Sequence, residues 1–380
     1  MKVLHVLRSI DPKGGGTSEG VRTLAHAQIA AGHQITTVAL DSPALVHSHP
    51  GTTHLLGPVA SVYGRSSALD HWLAQHLAEF DITVIHGLWQ YHGLATRRAC
   101  SKQRRPYAVF PHGMLDPWFK RTYPLKHLKK WLYWPWGEYR VLRDAAAVLF
   151  TADEERIAAR TSFWLYRVHE EVVGFGTAAP PTNADAQRVA FQKRFPELNG
   201  KRLLLFLGRI HPKKGCDLLL RAFATHGKDL HLVMAGPDPD GMRPTLEQLA
   251  GDGGARITWA GMLQGDEKWG AFRCAEAFIL PSHQENFRVA VVEAMACGVP
   301  VLISQRVNIW REIDADGAGW TATDDDAGCA SLVQRWQASS ADQRHTLSQA
   351  ALASFASRFA MATAAARLDA VLERIVQGHC

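Results

Sequence analysis

Cysteine is scarce in this chain of 380 residues, and the six present (Cys100, Cys216, Cys274, Cys297, Cys329, Cys380) stand far apart, without C-x-x-C or metal-ligand spacing. That argues against a disulfide framework or a zinc site and fits a reduced thiol inventory. Low-complexity tracts are missing, and an apolar share of 47% suits a globular chain. No apolar stretch approaches membrane-spanning length, and the opening run Met1-Lys-Val-Leu-His-Val-Leu-Arg is too short and too soon interrupted for a signal peptide. These absences lead us to expect a cytoplasmic protein that can still touch the inner face of a membrane. Nineteen histidines include no H-E-x-x-H, and His47-Ser-His49 alone makes no metal site. Zinc-finger, basic-zipper and RNA-recognition signatures are also missing, so the net charge of +6 points to anionic lipid or phosphorylated small molecules before nucleic acid.

What is present is a strand–helix alternation, run twice. The length suits two domains. Apolar strands are expected at Lys2–Ile10, Gln34–Leu40, Ile82–His86, Tyr107–Phe110 and Ala147–Thr151, with a helix closing near Ala31. The turn-rich stretch from Gly174 to Asn183 reads as a linker. A second series follows at Arg202–Leu207, Leu230–Ala235, Ile257–Ala260, Ala277–Leu280 and Val299–Ile303, before an alanine-rich helical tail from Ser339 to Val376. Alternation of this kind predicts parallel βαβ sheets, hence an α/β protein of two Rossmann-like domains facing across a cleft. The boundaries expected are 1–173, 174–358 and a closing segment 359–380.

Several residue groups collect at predicted strand ends, where parallel sheets bind ligands. In Pro281-Ser-His-Gln-Glu285-Asn286-Phe287-Arg288-Val-Ala-Val-Val-Glu293, one carboxylate lies in a loop and the other in a helix ended by Gly298 and Pro300. Sequence spacing gives no support for a glycosidase-type carboxylate pair, which needs a set through-space separation. Leu207-Gly-Arg209-Ile-His-Pro-Lys213-Lys214-Gly215 offers an Arg and a Lys that can converge on one anion, with Lys213 expected to face solvent. Gly14-Gly15-Gly16 precedes a helix whose first N–H groups favour an anion, although it is neither G-x-G-x-x-G nor a Walker loop, and a tight structural turn is the alternative. His112 and His86 each close a strand. Asp238-Pro-Asp240 matches D-x-D but sits among turn residues, and Asp324-Asp-Asp326 reads as a solvated loop. From 117 to 143 seven Lys/Arg and eight aromatics meet a single acid, Glu138. Such a segment either settles on an anionic bilayer or packs its rings inward with the lysines solvated.

Taken together, the spaced glutamates, the Arg209/Lys214 element, the glycine loop and the His112-Gly113 element resemble the E-x7-E retaining glycosyltransferases of group 1, or family 4, whose fold is termed GT-B. The resemblance implies that 359–380 forms a helix crossing back to the N-terminal domain. It implies that Arg209 and Lys214 hold the diphosphate of a nucleotide sugar, Glu285 the sugar hydroxyls and Glu293 the ribose. Backbone N–H groups around Asn286 and Phe287, with Gly15 and Gly16, would complete the donor contacts, and His112 would touch the donor sugar. Asn286 and Arg288 stand where glycines are frequent in the family, so Arg288 either adds a phosphate contact or restricts the loop. The implied activity is hexose transfer from a UDP- or GDP-sugar to a sugar hydroxyl, without a metal or other cofactor. The acceptor expected is a glycan, polyprenyl-diphosphate-linked, in exopolysaccharide, capsule or O-antigen synthesis, with no nucleic-acid partner. An epimerase or hydrolase acting on nucleotide sugars, or a non-catalytic binding protein, are the other readings.

Overall fold

The computed structural model describes residues 1–11, 16–46, 48–118, 120 and 124–378. They divide into two compact units, one of residues 1–177 with 361 onward and one of residues 178–360. Each is built around its own parallel sheet.

The first sheet has seven strands in the order β3-β2-β1-β4-β5-β6-β7. These are β1 (Lys2–Leu7), β2 (Gln34–Ala39), β3 (Thr52–Leu55), β4 (Ile82–His86), β5 (Tyr107–Phe110), β6 (Ala147–Phe150) and β7 (Glu170–Val172). The central strands read as unbroken apolar runs because helices cover both faces, and β4, β5 and β6 are buried at every position. The second sheet runs β10-β9-β8-β11-β12-β13, from β8 (Leu203–Leu207), β9 (His231–Ala235), β10 (Ile257–Gly261), β11 (Ala277–Leu280), β12 (Val301–Ser304) and β13 (Gly319–Ala322). Every pairing in both sheets is parallel. Both units are thus Rossmann-like.

Strand order reverses direction at β1/β4 in the first sheet and at β8/β11 in the second. Loops leaving adjacent strands at such a point turn to opposite faces and open a crevice at the carboxyl ends. The groups singled out from sequence sit on these loops: His112 after β5, one strand beyond β4, Arg209 and Lys214 after β8, and Glu285 to Arg288 after β11.

The alanine-rich tail is not one helix. Ser340 and Gln343 form a reciprocal capping box at the start of the helix Ala341–Ser354, which belongs to the second unit. A wide turn at Phe355–Phe359 and an extended Ala360 follow, and the helix Met361–Val376 then packs on the helix Gly16–Ala30 in the first unit. Small side chains, Ala364 and Ala365, permit that close approach, and Leu368 and Leu372 fill the seam.

The basic–aromatic segment divides between the two readings offered for it. Trp134 is fully buried, stacks on Phe163 at 4.2 Å and donates its indole N–H to the Leu165 carbonyl at 2.8 Å. Tyr139 and Glu138 are buried beside it. The helix Pro124–Tyr133 buries none of its residues. Leu125 is 78% exposed, Leu132 62% and Trp136 71%. Phe119, Arg121 and Tyr123 lie outside the described residues. No helix among the described residues is long and apolar enough to cross a membrane.

Candidate functional site

In the second unit the two motifs read separately from sequence meet. Lys214 ends the short turn Pro212–Lys214, and Gly215 follows at φ 64°, a left-handed conformation that glycine adopts without strain. A Cβ at Gly215 would overlap the Pro281 carbonyl oxygen, so the Lys214 turn packs directly on the loop leaving β11. The Lys214 ammonium, 5% exposed as a residue, makes an ion pair with the Glu285 carboxylate. Burial, then the charges of Arg288, Lys213 and Arg209, lower the Lys214 pKa to about 6, a pull that the Glu285 contact opposes. Cationic charge therefore gathers here in excess of what Glu285 balances. Lys213 is half-buried rather than solvent-facing, and its carbonyl accepts from the His283 N–H at 2.9 Å.

The Glu285 loop is clamped to the segment after β12. Glu285 N–H donates to the Arg306 carbonyl (2.9 Å), Asn308 N–H donates to the Glu285 carbonyl (3.1 Å), and the Asn308 amide donates to Asn286 Oδ1 (3.1 Å). Phe287 sits 6.2 Å, ring to ring, from Phe359.

Arg288 has a physical account that sequence could not give. Its guanidinium lies over Gly208, where a Cβ would come within 2.5 Å of an Arg288 nitrogen, and it donates to the Leu207 carbonyl at 3.1 Å. Its Nε is buried with no hydrogen-bond partner among the described residues. Burial, opposed by Glu293, lowers the Arg288 pKa. Gly208 thus provides the space for a side chain that replaces a frequent family glycine. Glu293, on the helix Val289–Ala296, accepts from Lys268 Nζ at 2.6 Å. Lys268 went unnoticed in the sequence, where nothing distinguishes it from other helix-surface lysines.

The remaining acidic motifs are structural. Asp238 accepts from the N–H groups of Met242 and Arg243, each at 2.9 Å, and closes the expected turn. Asp324-Asp-Asp326 is not merely a solvated loop. Asp324 accepts from His283 and Arg306, Asp325 caps the helix Asp326–Ala338 through the Gly328 N–H, and Asp326 pairs with Arg221. Among the described residues no group of three or more His, Cys, Asp or Glu could hold a metal ion.

In the first unit His112 follows β5 at φ 51°, with Gly113 at 76°. This unusual turn is held by the buried Glu155, whose carboxylate accepts from the N–H groups of Gly113 (2.6 Å) and Thr151 (2.8 Å). Glu155 was not anticipated, since an acid in a helix ordinarily faces water. His112 Nε2 lies 3.0 Å from His86 Nδ1, so the two histidines at strand ends are brought together. Burial lowers the His112 pKa to about 4 and the His86 pKa well below its ordinary value. Gly16 opens the helix Gly16–Ala30, and a Cβ there would meet no atom of the described residues within 4 Å. Gly14 and Gly15 lie outside the described residues.

Two family models match the chain. One, described as a glycosyl transferase 4-like domain, covers residues 15–176, and one described as glycosyl transferases group 1 covers residues 201–338. Among curated proteins, a D-inositol 3-phosphate glycosyltransferase of Mycolicibacterium gilvum is 42% identical over 27% of this chain and 24% of its own length. Its counterpart in Mycobacterium bovis is 36% identical over 44% of this chain and 35% of its own length. The chain therefore spans only about a quarter to a third of these relatives in alignment. Over whole folds, sucrose-phosphate synthase of Thermosynechococcus elongatus superposes with a TM-score of 0.73 at 18% identity, covering 100% of both chains. The Anabaena protein HepE, in complex with UDP-glucose, gives 0.73 at 16% identity, over 98% of this chain and 99% of its own.

Proposed function

The chain belongs to the group 1 (family 4-like) glycosyltransferases, and from that premise we propose that it moves a hexose from a nucleotide-diphosphate sugar to a sugar hydroxyl with retention of anomeric configuration. One observation carries the reading: Lys214 and Arg288, with the charge of Arg209 nearby, converge where the strand order of the second sheet reverses.

Cations at this place suit a departing diphosphate. When the anomeric C–O bond breaks, its electron pair passes to the diphosphate oxygen, and Arg209, Lys214 and Arg288 stabilise the charge that develops. In this reading those side chains supply the neutralising charge, and no metal is required. The anomeric carbon gains oxocarbenium character. The acceptor hydroxyl then bonds to it from the face the diphosphate leaves, and its proton passes to the departing phosphate oxygen. Glu285 and the N–H groups near Asn286 and Phe287 hold the sugar and phosphates. Glu293, steadied by Lys268, takes the ribose hydroxyls, and His112 takes a hydroxyl of the transferred sugar. Gly15 and Gly16 are assigned to the donor by family resemblance. UDP-glucose in the HepE complex makes a UDP-sugar the first donor to try.

We further propose a lipid-linked glycan acceptor, reached from the inner face of the cell membrane. The exposed Leu125, Leu128, Leu132 and Trp136, beside the exposed Lys126 and Lys129, form an apolar–cationic face suited to anionic headgroups, while Lys130 turns over the Trp89 ring. A cavity of about 630 Å³ lined by Lys120, His127, Leu128, Trp131, Phe163 and Trp164 opens on the same face.

The direct experiment is a thermal-shift screen of UDP-, GDP- and ADP-sugars. A ligand at a hundred times its Kd stabilises the folded chain by about 2.7 kcal/mol. A rise in Tm with one class of sugar nucleotide supports the reading, and no rise with any class contradicts it.

A further inference from the structure

Beneath His112 runs a buried chain of hydrogen bonds that no candidate role accounts for. His112 Nε2 lies 3.0 Å from His86 Nδ1, His86 Nε2 lies 2.8 Å from His5 Nδ1, and His5 Nε2 lies 2.8 Å from Gln28 Oε1. Gln28 Nε2 lies 2.6 Å from Asp369 Oδ1 on the helix Met361–Val376. His5 and Gln28 are fully buried, His86 is 2% exposed and Asp369 6%. The elements are neighbours: β1 and β4 pair, β4 and β5 pair, and the helices carrying Gln28 and Asp369 pack together.

Each link has a direction, and the directions follow from one end. A carboxylate only accepts, so the Gln28 NH2 must face Asp369 and the Gln28 carbonyl oxygen must face His5. That oxygen accepts, so His5 carries its hydrogen on Nε2 and a lone pair on Nδ1. His86 then donates from Nε2 and accepts at Nδ1, and His112 donates from Nε2 in turn. His5 and His86 are neutral, since a second hydrogen on either ring would set two donors against each other, and burial keeps His112 neutral by lowering its pKa to about 4. Burial, with Glu373 beside it, raises the Asp369 pKa, while Gln28 and His33, whose Nε2 lies 3.2 Å from Asp369 Oδ2, favour the charged form; in either state Oδ1 accepts from the Gln28 NH2.

We propose that Asp369, acting through Gln28, His5 and His86, is a positioning residue that holds His112 in the Nε2–H tautomer with a bare lone pair on Nδ1. A histidine so held offers an acceptor at Nδ1 and no cation. Under the function proposed above, that lone pair takes a hydrogen from a hydroxyl of the transferred sugar. Four residues from four elements, two of them helices far apart in the chain, thereby fix one proton on His112.

The test needs no substrate. Long-range proton–nitrogen NMR on the uniformly labelled full chain distinguishes a pyrrole-like ring nitrogen from a pyridine-like one. The expected spectrum shows pyrrole-like Nε2 and pyridine-like Nδ1 at His5, His86 and His112. A pyrrole-like Nδ1 at His112, or a doubly protonated His112 at neutral pH, overturns the proposal before any variant is made. Gln28→Leu removes the acceptor and is expected to abolish the uniform pattern, giving mixed tautomers at His112, whereas Gln28→Glu keeps an acceptor and retains it. An unchanged His112 spectrum in Gln28→Leu also overturns the relay. Transfer from UDP-glucose separates the two layers: mixed His112 tautomers together with undiminished kcat in Gln28→Leu leave the tautomer assignment standing and remove His112 from the reaction.

Discussion

In the first unit, the polar groups beneath the strand ends are neutral rings. Burial lowers the pKa of His5 and His112 to about 4, and the rings satisfy one another in line. In the second unit the groups at the corresponding strand ends are ions. Arg209, Lys213, Lys214, Lys268 and Arg288 stand against Glu285 and Glu293, and the buried Arg288 Nε has no partner among the described residues. The contrast is one of finished and unfinished electrostatics. A neutral network fixes orientation and asks nothing of a ligand. A cation excess that includes the buried Lys214 is costly until an anion arrives, and an incoming diphosphate relieves that cost.

The contrast can be broken most severely at Lys214. Lys214→Ala is expected to reduce kcat a hundred- to a thousandfold, about 3–4 kcal/mol of transition-state stabilisation, while far-UV circular dichroism stays as in the wild type. Turnover within a few-fold of wild type would remove the diphosphate role.

Next in size is a test of the neutral side. Burial raises the Glu138 pKa to about 7, from an ordinary 4.5. The stability tied to its protonated form is complete below about 4.5 and is lost as pH rises through 7. The lowered histidines act in the other direction, their contribution being present above about 6.5 and lost as pH falls towards 4. Glu138→Gln is accordingly expected to gain about 2–3 kcal/mol over wild type at pH 8, with the gain vanishing near pH 4.5. Urea midpoints at the two pH values report it, and a gain independent of pH contradicts the assignment.

A smaller effect sharpens the ionic side. Gly208→Ala pushes a methyl into the Arg288 guanidinium and is expected to weaken UDP-sugar binding about tenfold, or 1.4 kcal/mol. In an Arg288→Gly background the same substitution should do almost nothing, so a double-mutant cycle reads the coupling. Additive effects would mean that Gly208 matters for some other reason. Smallest of all, Trp136→Ser is expected to reduce partition onto anionic vesicles two- to fivefold, about 0.4–1 kcal/mol, as read by co-sedimentation.

How much was legible depended on what each residue faces. The central strands were read to within about three residues because burial on both faces writes them as apolar runs. The three strands missed, β3 (Thr-Thr-His-Leu), β7 (Glu-Glu-Val) and β13 (Gly-Trp-Thr-Ala), are all sheet edges, where polar and short sequences are the usual protection against further pairing. The helical tail was legible as helix, whereas its break at 355–360 was expected, at 359, only through the family resemblance, because Phe-Ala-Ser-Arg-Phe carries no Gly or Pro. Within the site, Arg209, Lys214, Glu285 and Glu293 were found as motif residues. Their mutual pairing, the Arg288–Gly208 contact and the Lys268–Glu293 contact depend on through-space distances that spacing does not encode. His5 offered a faint signal, a polar ring in an otherwise apolar strand, but Gln28 and Asp369 offered none.

The central claim is that the ionic cluster at β8/β11 is completed by a sugar-nucleotide diphosphate. Thermal unfolding of wild type and Lys214→Ala, each with and without saturating UDP-glucose, tests it most directly. The account predicts a clear rise in Tm for the wild type and almost none for the variant; an equal rise in both would contradict it.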